Sequence, residues 1–452
     1  MHISFIKPSM GDLRSSDAMT PLAFGYLSAM TPPDVERVLY DERLEEIPLD
    51  EPTDLVAMTV ETYTARRAYQ LADAFRARGV PVVMGGYHPT FVPDEAARHA
   101  DALVLGDAEG VWPRVVEDAR RRRLAPRYGQ AAPPPLAGIT PDRSIFQGKG
   151  YAPVRLVQYG RGCKWACDFC SIHAFYGRNL RQRPVREVVE EIEALDGKLV
   201  FLVDDNIFAD EARAEELFEA LVPLGIRWTC QTSIDVAWKP GMVDLMRRSG
   251  CISVLIGFET LDPANLKQMR KAWNAKAQGY EGAIERLKDA GLMIYGTFVH
   301  GYDRDTPDSF ERNLEFAVRN KFFLANFNPL TPTPATSLYE RLRREGRLIR
   351  DPWWLDPSYR YGHATFHPRG MTATELEEGC YRARTRFNTL SSIARRAFDR
   401  RTNLSSLYNL GVFLAVNLIS RTEIHRKQDA PLGARPPSTQ PGRTPVPAEG
   451  LP

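Results

Sequence analysis

The sequence has no run of about 18 apolar residues, so a transmembrane helix is not expected. It also lacks an excess of one charge, because 59 Lys and Arg residues stand against 57 Asp and Glu, a net charge of +2. Nucleic-acid-binding proteins usually carry a clear basic excess, so we expect no nucleic-acid partner. The segment 1–6 lacks the charged and then apolar pattern of a signal peptide, which predicts a cytoplasmic protein.

Cysteine is scarce, with six residues in a chain of 452. So few cysteines in such a length exclude a disulfide scaffold, and they are better interpreted as metal-binding or redox candidates. The composition is otherwise globular, with 43% hydrophobic and 26% charged residues. The length allows two to four domains of about 100–200 residues each.

Short apolar segments alternate with amphipathic stretches in residues 1–123, which predicts a doubly wound parallel sheet, an α/β fold resembling a Rossmann domain. The predicted strands are His2–Ile6, Glu36–Tyr40, Leu55–Val60, Pro81–Met84 and Ala102–Leu105, and the predicted helices are Pro21–Met30 and Ala65–Arg78. The strands are apolar on both faces, as in buried parallel sheets. Such sheets bind ligands at the carboxyl ends of their strands.

A second series of strands and helices occupies residues 151–334, after a proline-rich segment, 124–150, that is predicted to be a linker. The predicted strands are Val154–Tyr159, Leu199–Val203, Trp228–Ser233, Ile252–Gly257, Met293–Val299 and Phe323–Asn328. Six βα units predict a partial (β/α)6 barrel with its site at the carboxyl ends of the strands. Residues 335–428 are predicted to be helical, and residues 429–452, with seven prolines in 24 positions, are predicted to form a disordered tail.

Three cysteines, Cys163, Cys167 and Cys170, form a C-x3-C-x2-C arrangement directly after a predicted strand. Three thiolates within eight residues can converge on one metal centre, and thiolates are the usual ligands of iron–sulfur clusters. A zinc site needs four protein ligands, and His173 is close enough in sequence to be the fourth, so zinc is an alternative. Three cysteines without a clear fourth thiolate favour a [4Fe–4S] cluster with one iron open to a small molecule.

This motif, with aromatic Phe169 before its last cysteine and a βα series after it, resembles the radical S-adenosylmethionine (SAM) superfamily. The resemblance implies that a [4Fe–4S] cluster binds SAM and cleaves it reductively to a 5′-deoxyadenosyl radical, with Phe169 among the residues of the SAM site. It also implies a small-molecule substrate and an electron donor such as flavodoxin or ferredoxin.

Further segments, over about residues 1–400, are similar to the subfamily that joins a cobalamin-binding domain to the radical SAM barrel. That subfamily includes anaerobic magnesium-protoporphyrin monomethyl ester cyclases and cobalamin-dependent radical methylases. The segments that carry this resemblance are Gly85–Pro89, Gly106–Gly110, Leu202–Phe208, Gln231–Asp235, Gly257–Thr260 and Thr297–Gly301.

The resemblance implies SAM-binding roles for polar residues at the ends of the barrel strands. Glu259 is expected to accept hydrogen bonds from the ribose hydroxyls, with an ion pair inside the barrel as the alternative. Asp204 and Asp205 stand where the superfamily often has Gly-Gly-Glu, and a carboxylate there can bind the methionyl ammonium. Gln231 and Ser233 are candidates for cofactor or substrate contact, with strand-end hydrogen bonding as the alternative.

Cobalamin is expected at the strand ends of the first domain. The candidate residues are Ser9, Thr59, Thr62, Gly85, Gly86 and Gly106. The Asp-x-His-x-x-Gly signature that supplies an axial histidine elsewhere is absent, so any bound cobalamin would have no axial imidazole from that motif.

Together these features predict a radical SAM enzyme that uses cobalamin to methylate an unactivated carbon or phosphorus of a small molecule. Radical cyclisation or rearrangement without methyl transfer is one alternative, and transfer of a 3-amino-3-carboxypropyl group from SAM is another. A non-catalytic metal-binding module is the alternative from a different class, and it would show no SAM turnover.

Overall fold

Two parallel β-sheets organise the chain in a computed structural model that describes residues 1–11, 14–275 and 279–433. The strands, in chain order, are β1 (His2–Lys7), β2 (Glu36–Asp41), β3 (Leu55–Thr59), β4 (Val82–Gly85), β5 (Ala102–Val104), β6 (Arg127–Tyr128), β7 (Arg155–Val157), β8 (Gly160–Arg161), β9 (Arg181–Gln182), β10 (Leu199–Leu202), β11 (Arg227–Thr232), β12 (Cys251–Glu259), β13 (Met293–His300) and β14 (Leu324–Pro329).

Helices connect and cover these strands. The α-helices are α1 (Leu22–Met30), α2 (Ala65–Ala77), α3 (Tyr87–Phe91), α4 (Pro93–Ala96), α5 (Trp112–Arg120), α6 (Ser171–Tyr176), α7 (Val185–Glu193), α8 (Glu211–Leu221), α9 (Met242–Arg248), α10 (Pro263–Gln268), α11 (Gly279–Asp289), α12 (Pro307–Arg319), α13 (Ser337–Arg344), α14 (Ala373–Phe387), α15 (Leu390–Ala397) and α16 (Leu407–Lys427). Short 3-10 helices lie at Thr62–Thr64, Ser144–Phe146, Val222–Leu224, Ile234–Trp238, Ala272–Ala275 and Trp353–Leu355.

The first sheet has the strand order β2-β1-β3-β4-β5-β6, and all of its neighbouring strands are parallel. Its strands β3, β4 and β5 are buried on both faces because helices and loops cover both sides. The chain changes direction across the sheet between β1 and β3, which opens a crevice at the carboxyl ends of the strands. The predicted doubly wound sheet is confirmed.

The second sheet has the order β14-β13-β12-β11-β10-β7, again with parallel neighbours throughout. Each of its six strands overlaps a strand predicted from the sequence. The largest hydrophobic core lies between these strands and helices α7, α8, α9, α11 and α12. The predicted partial barrel and the helical C-terminal region are confirmed.

Residues 124–150, predicted to be a linker, contribute to the first sheet. Within them β6 pairs in parallel with β5, and the side chain of Tyr128 is buried, with its hydroxyl donating to Asp118 Oδ2 at 3.0 Å. Strand β6 has only two residues, which are too few to show the apolar pattern of a strand. It forms because the edge of β5 has free backbone N–H and C=O groups that pair with it.

The C-terminal region packs on both sheets. Helix α14 lies against β14 and α12, and a Cβ at Gly379 would come within 2.3 Å of the Phe310 ring, so this close approach requires a glycine. Trp353 and Trp354 are 1% and 2% exposed in a core shared with the first sheet. The C-terminal region therefore fixes the two sheets against each other.

The structure differs from the sequence prediction at the start of the predicted tail. Leu432 is 1% exposed and packs in the core of the first sheet, while the Gly433 amide donates to the Met10 carbonyl oxygen at 2.8 Å. The prediction of disorder is therefore wrong for residues 429–433. It rested on the proline content of the whole segment, which gives no indication that a single leucine is buried. The rest of the predicted tail, 434–452, lies outside the described residues.

Helix α16, with 21 residues, rests on its neighbours through Asn409, Phe413 and Asn417, while Leu414 and Leu418 are exposed. Among the helices described here, α16 included, none has both the length and the hydropathy that a membrane crossing needs.

We predict that Leu432→Ala lowers the free energy of unfolding by about 2–4 kcal/mol, because it removes buried methyl groups and leaves a cavity. Thermal or chemical denaturation followed by circular dichroism measures the change. Leu407→Ala is the matched control, since Leu407 is 89% exposed and its truncation is expected to change the free energy by less than about 0.5 kcal/mol. Equal, small effects of the two substitutions would show that residues 429–433 do not pack as described.

Candidate functional site

The three predicted cluster cysteines lie in the loop between β8 and α6, at the carboxyl end of the barrel. Cys167 is buried, and Cys163 and Cys170 are half-buried. Gly162 begins the loop with φ of +96°, and a Cβ there would lie 2.2 Å from the carbonyl oxygen of Asn179. Glycine is therefore required for the chain to turn into the loop.

The cysteine thiols lie near enough to one another to interact electrostatically. Burial raises the pKa of Cys167 to about 12; Lys271 opposes this rise, and the Cys170 and Cys163 thiols add to it. Burial also raises the pKa of Cys170, against which the backbone amides of His173 and Ile172 act. Metal binding would displace the thiol protons, and a set of three thiolates is the donor set that iron–sulfur clusters use.

The zinc alternative finds little support in this geometry. No three His, Cys, Asp or Glu side chains within the described ranges are grouped so that they could hold one metal ion. His173, the fourth ligand of that alternative, directs Nδ1 to the carbonyl oxygen of Gly177 at 3.1 Å, which leaves Nε2 for a metal, so it is the spacing of the thiols that disfavours zinc. A cluster of several irons does not require three thiolates to touch the same ion, so it fits the loop better than a zinc ion does.

Three consecutive side chains after β10 hold the cysteine segment in place. Asp204 Oδ1 accepts from the Tyr159 amide at 2.8 Å, and Asp205 Oδ2 accepts from the Gly162 amide at 2.8 Å. Asn206 Nδ2 donates to Cys163 Sγ at 3.6 Å. The two carboxylates predicted to bind an ammonium group therefore support the backbone that leads into the loop.

The environments of the two carboxylates differ. Asp204 is 5% exposed, and burial raises its pKa to about 8, an effect that Asp205 adds to and the Tyr159 amide opposes. Asp205 is half-buried, and burial raises its pKa as well, while the Gly162 amide and Arg161 oppose the rise. Of the pair, Asp205 is the carboxylate with access to a ligand.

Gln231 and Ser233, at the end of β11, make strand-end hydrogen bonds in this structure. Gln231 Nε2 donates to the Asp205 carbonyl oxygen at 2.9 Å, and the Ser233 amide donates to Asn206 Oδ1 at 3.1 Å. Ser233 is 8% exposed, whereas Gln231 is exposed. Only Gln231 of the two is open to a ligand.

Glu259 ends β12 in the left-handed region, with φ of +64°, and its Oε1 accepts from Lys271 Nζ at 2.6 Å. Both side chains are buried. A Cβ at Gly257 would lie 2.2 Å from Glu259 Oε1, so the absence of a side chain there makes room for the pair. The alternative ion pair inside the barrel is thus present, and Lys271 is a site residue that the sequence did not reveal.

Aromatic side chains flank the cysteine loop. Trp165 stacks on Trp273 with ring centroids 3.9 Å apart and an interplanar angle of 6°. Phe169 packs edge-on to Tyr302, whose hydroxyl donates to Asp168 Oδ1 at 2.6 Å. These contacts fix the loop from both sides and shield part of it from water.

A cavity of about 270 Å³ lies at the carboxyl ends of β3, β4 and β5. Four of the predicted cobalamin residues line it, namely Thr59, Gly85, Gly86 and Gly106. A Cβ at Gly106 would meet no atom within 4 Å, so the glycine leaves open space beside the strand end. The other walls are mainly apolar, which fits the nucleotide tail of a corrinoid.

The remaining two cobalamin candidates are not in this cavity. The Ser9 amide donates to Glu42 Oε2 at 2.9 Å, and Ser9 is buried. Thr62 is also buried, at the start of a 3-10 helix. Ser9 follows β1 and Thr62 follows β3, but neither side chain lines the cavity.

Arg161, two residues before Cys163, joins the cysteine loop to this cavity. Its guanidinium donates to Asp107 Oδ1 at 2.7 Å and to Glu109 Oε1 at 2.6 Å, and all three side chains line the cavity. Burial alone would lower the pKa of Arg161, but Glu109 and Asp107 raise it above its usual value. Arg181 adds a second ion pair to Asp107 at 2.6 Å.

Sequence reasoning missed Arg161 and Asn206 although a signal existed, since each adjoins a motif that it had singled out. Arg161 comes just before the cysteines, and Asn206 follows the two aspartates. Lys271 has no such signal, because it lies twelve positions after Glu259, beyond helix α10, and belongs to no motif.

Comparison with known families agrees with this geometry. The Radical SAM superfamily matches residues 157–317, and the B12 binding domain matches residues 22–116. The first match contains the cysteine loop and the second contains most of the cavity. They confirm the predicted cofactors: a [4Fe–4S] cluster, SAM and cobalamin.

Two relatives come from Chlorobaculum tepidum. Bacteriochlorophyllide d C-12(1)-methyltransferase is 31% identical over 354 residues, which cover 76% of this chain and 76% of the relative. Bacteriochlorophyllide d C-8(2)-methyltransferase is 31% identical over 366 residues, which cover 76% of this chain and 80% of the relative.

Among solved structures, the radical SAM methyltransferase TsrM from Kitasatospora setae superposes with a TM-score of 0.61. The two chains are 15% identical, and 77% of each is covered, so this likeness supports the fold alone. The family matches and the relatives confirm that the chain is an enzyme, which removes the non-catalytic module as an alternative. This chain belongs to the radical S-adenosylmethionine family whose members carry an N-terminal B12-binding domain.

Proposed function

We propose that this enzyme is a cobalamin-dependent methyltransferase that methylates an unactivated carbon of a small molecule. The observation that carries the proposal is the Arg161 bridge, which sets the cysteine loop against the cavity of the B12-binding domain. An enzyme that moves a methyl group from one cofactor site to a substrate activated at another needs the two sites to face each other. The bridge supports that arrangement.

Carbon is favoured over phosphorus as the methyl acceptor. The two Chlorobaculum tepidum relatives are named for methylation at a carbon position, and each match covers at least three quarters of both chains. Nothing in the described part of the chain points to a phosphorus-containing acceptor.

When bound, the cluster supplies the electron that cleaves SAM, and cobalamin carries the methyl group. The chain's own residues hold and orient these groups. Cys163, Cys167 and Cys170 are proposed to bind the cluster, and Asn206 supports Cys163 through its hydrogen bond to Sγ. Asp205 is proposed to face the methionyl ammonium of SAM.

Glu259 is proposed to serve the SAM ribose while it keeps its ion pair with Lys271. One oxygen of the carboxylate accepts from Lys271, and the second oxygen has no hydrogen bond to any described residue. A carboxylate has lone pairs for several donors, so a ribose hydroxyl can be added to the existing pair.

Radical cyclisation and 3-amino-3-carboxypropyl transfer remain the alternatives to methyl transfer, and each gives a different small-molecule product. An external one-electron donor of the flavodoxin or ferredoxin type is proposed as a partner, because the proposed reaction consumes an electron. We also propose that the enzyme has no nucleic-acid partner and works in the cytoplasm.

We predict that Cys163→Ala, Cys167→Ala and Cys170→Ala each reduce 5′-deoxyadenosine formation to background, since each removes a proposed cluster ligand. The assay uses anaerobically reconstituted protein with SAM, cobalamin and a strong reductant, and it identifies products by mass. Cys251→Ala is the matched control, because Cys251 is a buried cysteine on β12, outside the loop, and its replacement is expected to preserve turnover.

The products of the same assay separate the proposed reactions. S-adenosylhomocysteine together with 5′-deoxyadenosine supports methyl transfer. Methylthioadenosine in their place would support 3-amino-3-carboxypropyl transfer, and 5′-deoxyadenosine without S-adenosylhomocysteine would support cyclisation or rearrangement. A cysteine variant that still forms 5′-deoxyadenosine would contradict the proposed cluster ligands.

We predict that Gly85→Leu lowers cobalamin retention about tenfold or more, because the new side chain extends into the cavity that Gly85 lines. A Cβ at Gly85 meets only Val104 at ordinary contact distance, so the backbone is expected to tolerate the substitution. The cobalamin absorbance of protein purified after reconstitution measures the effect.

Gly150→Leu is the control for this substitution, since Gly150 is exposed and a Cβ there meets no atom within 4 Å. Full cobalamin retention by the folded Gly85→Leu protein would place cobalamin elsewhere.

A further inference from the structure

A second cavity, of about 300 Å³, opens at the carboxyl ends of β13 and β14. Three aromatic walls come from distant parts of the chain: Tyr63 follows β3 of the first sheet, Phe169 belongs to the cysteine loop, and Tyr361 belongs to the C-terminal region. Thr331 and Asn328 add polar atoms at the strand ends. The cavity is distinct from the one lined by Gly85, Gly86 and Gly106, and it reaches the residue next to Cys170.

Arg384, on helix α14, lines this cavity and is 6% exposed. Its Nη2 donates to the side-chain oxygen of Gln428 at 2.9 Å, while its buried Nε has no hydrogen-bond partner. Within the part of the chain that the structure describes, no acidic side chain forms an ion pair with Arg384. A buried cation therefore faces the cavity with one neutral partner.

Among the described residues, the other arginines at this depth have either an acidic partner or a full set of neutral acceptors. Arg183 pairs with Glu191 at 2.5 Å, and Arg161 pairs with two carboxylates. Arg396 has no acidic partner either, but it donates to the carbonyl oxygens of Phe322, Phe323 and Phe387 and to Asn417. Arg384 differs from all of these, because it combines the lack of an acid with an unmet donor at a cavity wall.

An uncompensated buried charge is costly, since it loses hydration without gaining an ion pair. The cost falls when a ligand brings an anion to the site, and a guanidinium binds a carboxylate through two parallel hydrogen bonds. We propose that Arg384 binds a carboxylate on the methyl acceptor, whose apolar body lies against Phe169 on one side and against the edge-packed pair of Tyr63 and Tyr361 on the other. This inference rests on the proposed function for the identity of the ligand as the acceptor.

Benzoate is a suitable probe, because it joins a carboxylate to a flat apolar ring and is smaller than the cavity. We predict that benzoate raises the thermal midpoint of the wild-type chain by about 1–3 °C at saturating concentration, through preferential binding to the folded state. Methyl benzoate, which has the same ring without the charge, is expected to give no shift. Differential scanning fluorimetry measures both at constant ionic strength.

Arg384→Met keeps the length of the side chain and removes the charge, so it is expected to lose the benzoate shift. Without ligand it is expected to be as stable as the wild type or more stable, because it removes an unpaired buried charge. Arg382→Met is the matched control, since Arg382 is an exposed arginine on the same helix, and it is expected to keep the shift. Arg384→Lys, which keeps the charge but not the paired donors, is the second variant should Arg384→Met fail to fold, and it is expected to lose at least half of the shift.

Three results would overturn the proposal. One is a benzoate shift equal in wild type and the Arg384 variants, or absent from all of them. Another is a larger shift with inorganic phosphate than with benzoate, which would make the site a phosphate site. The third is a rise in the KM for SAM in Arg384→Met, measured on reconstituted protein, which would assign Arg384 to the carboxylate of SAM instead of the acceptor.

The benzoate measurement needs no cluster, reductant or SAM. Its outcome is therefore independent of whether the chain forms S-adenosylhomocysteine. A benzoate shift without methyl transfer would refute the proposed function but support a carboxylate site at Arg384. Methyl transfer without a benzoate shift would support the proposed function but refute the role of Arg384.

Discussion

The ion pairs of Arg161 with Asp107 and Glu109 are the contact on which the rest of the site depends. The two acids follow β5 of the first sheet, and the arginine ends β8, immediately before the cysteine loop. Because these side chains are at most 11% exposed, removing Arg161 would leave the Glu109 carboxylate without its ion pair, at a cost of about 3–5 kcal/mol. The pairs therefore set the distance between the cysteine loop and the cavity of the B12-binding domain.

Carboxylates also support the cysteine loop from inside the barrel, where they accept hydrogen bonds from backbone amides. Asp204 and Asp205 accept from the amides of Tyr159 and Gly162, and so hold the strand end and the turn that precede Cys163. A loop that must carry three half-buried or buried thiols needs this support, because its own segment lacks regular backbone hydrogen bonding. The acidic pair that marks the sequence after β10 is thus part of the scaffold of the loop.

The sequence was sufficient where the information is local. Periodic apolar segments predicted the strands of both sheets, and the cysteine spacing predicted the family, because each signal lies within about ten neighbouring residues. It was insufficient where a segment gains its structure from a distant partner. Strand β6 exists because β5 offers an open edge, and Leu432 is buried because the first sheet leaves room for it.

The candidate site shows the same division. The sequence brought the three cysteines into one loop and predicted that Gly85, Gly86 and Gly106 lie at strand ends, where they line one cavity. Their roles as ligands stay predictions. The ion pair of Glu259 was predicted only as an alternative, and its partner Lys271 could not be named. The two residues lie on either side of the short helix α10, and no sequence pattern links them.

The residues that line the second cavity are the hardest to predict from the sequence. Tyr63, Phe169, Tyr361 and Arg384 span more than 300 residues of the sequence, and none belongs to a motif that predicts a shared site. What joins them is the packing of the C-terminal region onto both sheets, with α14 against β14 and Trp353 in the core of the first sheet. Family motifs fix the cofactor sites, whereas the region that closes the cavity lies beyond the two family matches, which end at residues 116 and 317. If Arg384 binds the acceptor as proposed, acceptor specificity can change through the C-terminal region while the cofactor chemistry stays the same.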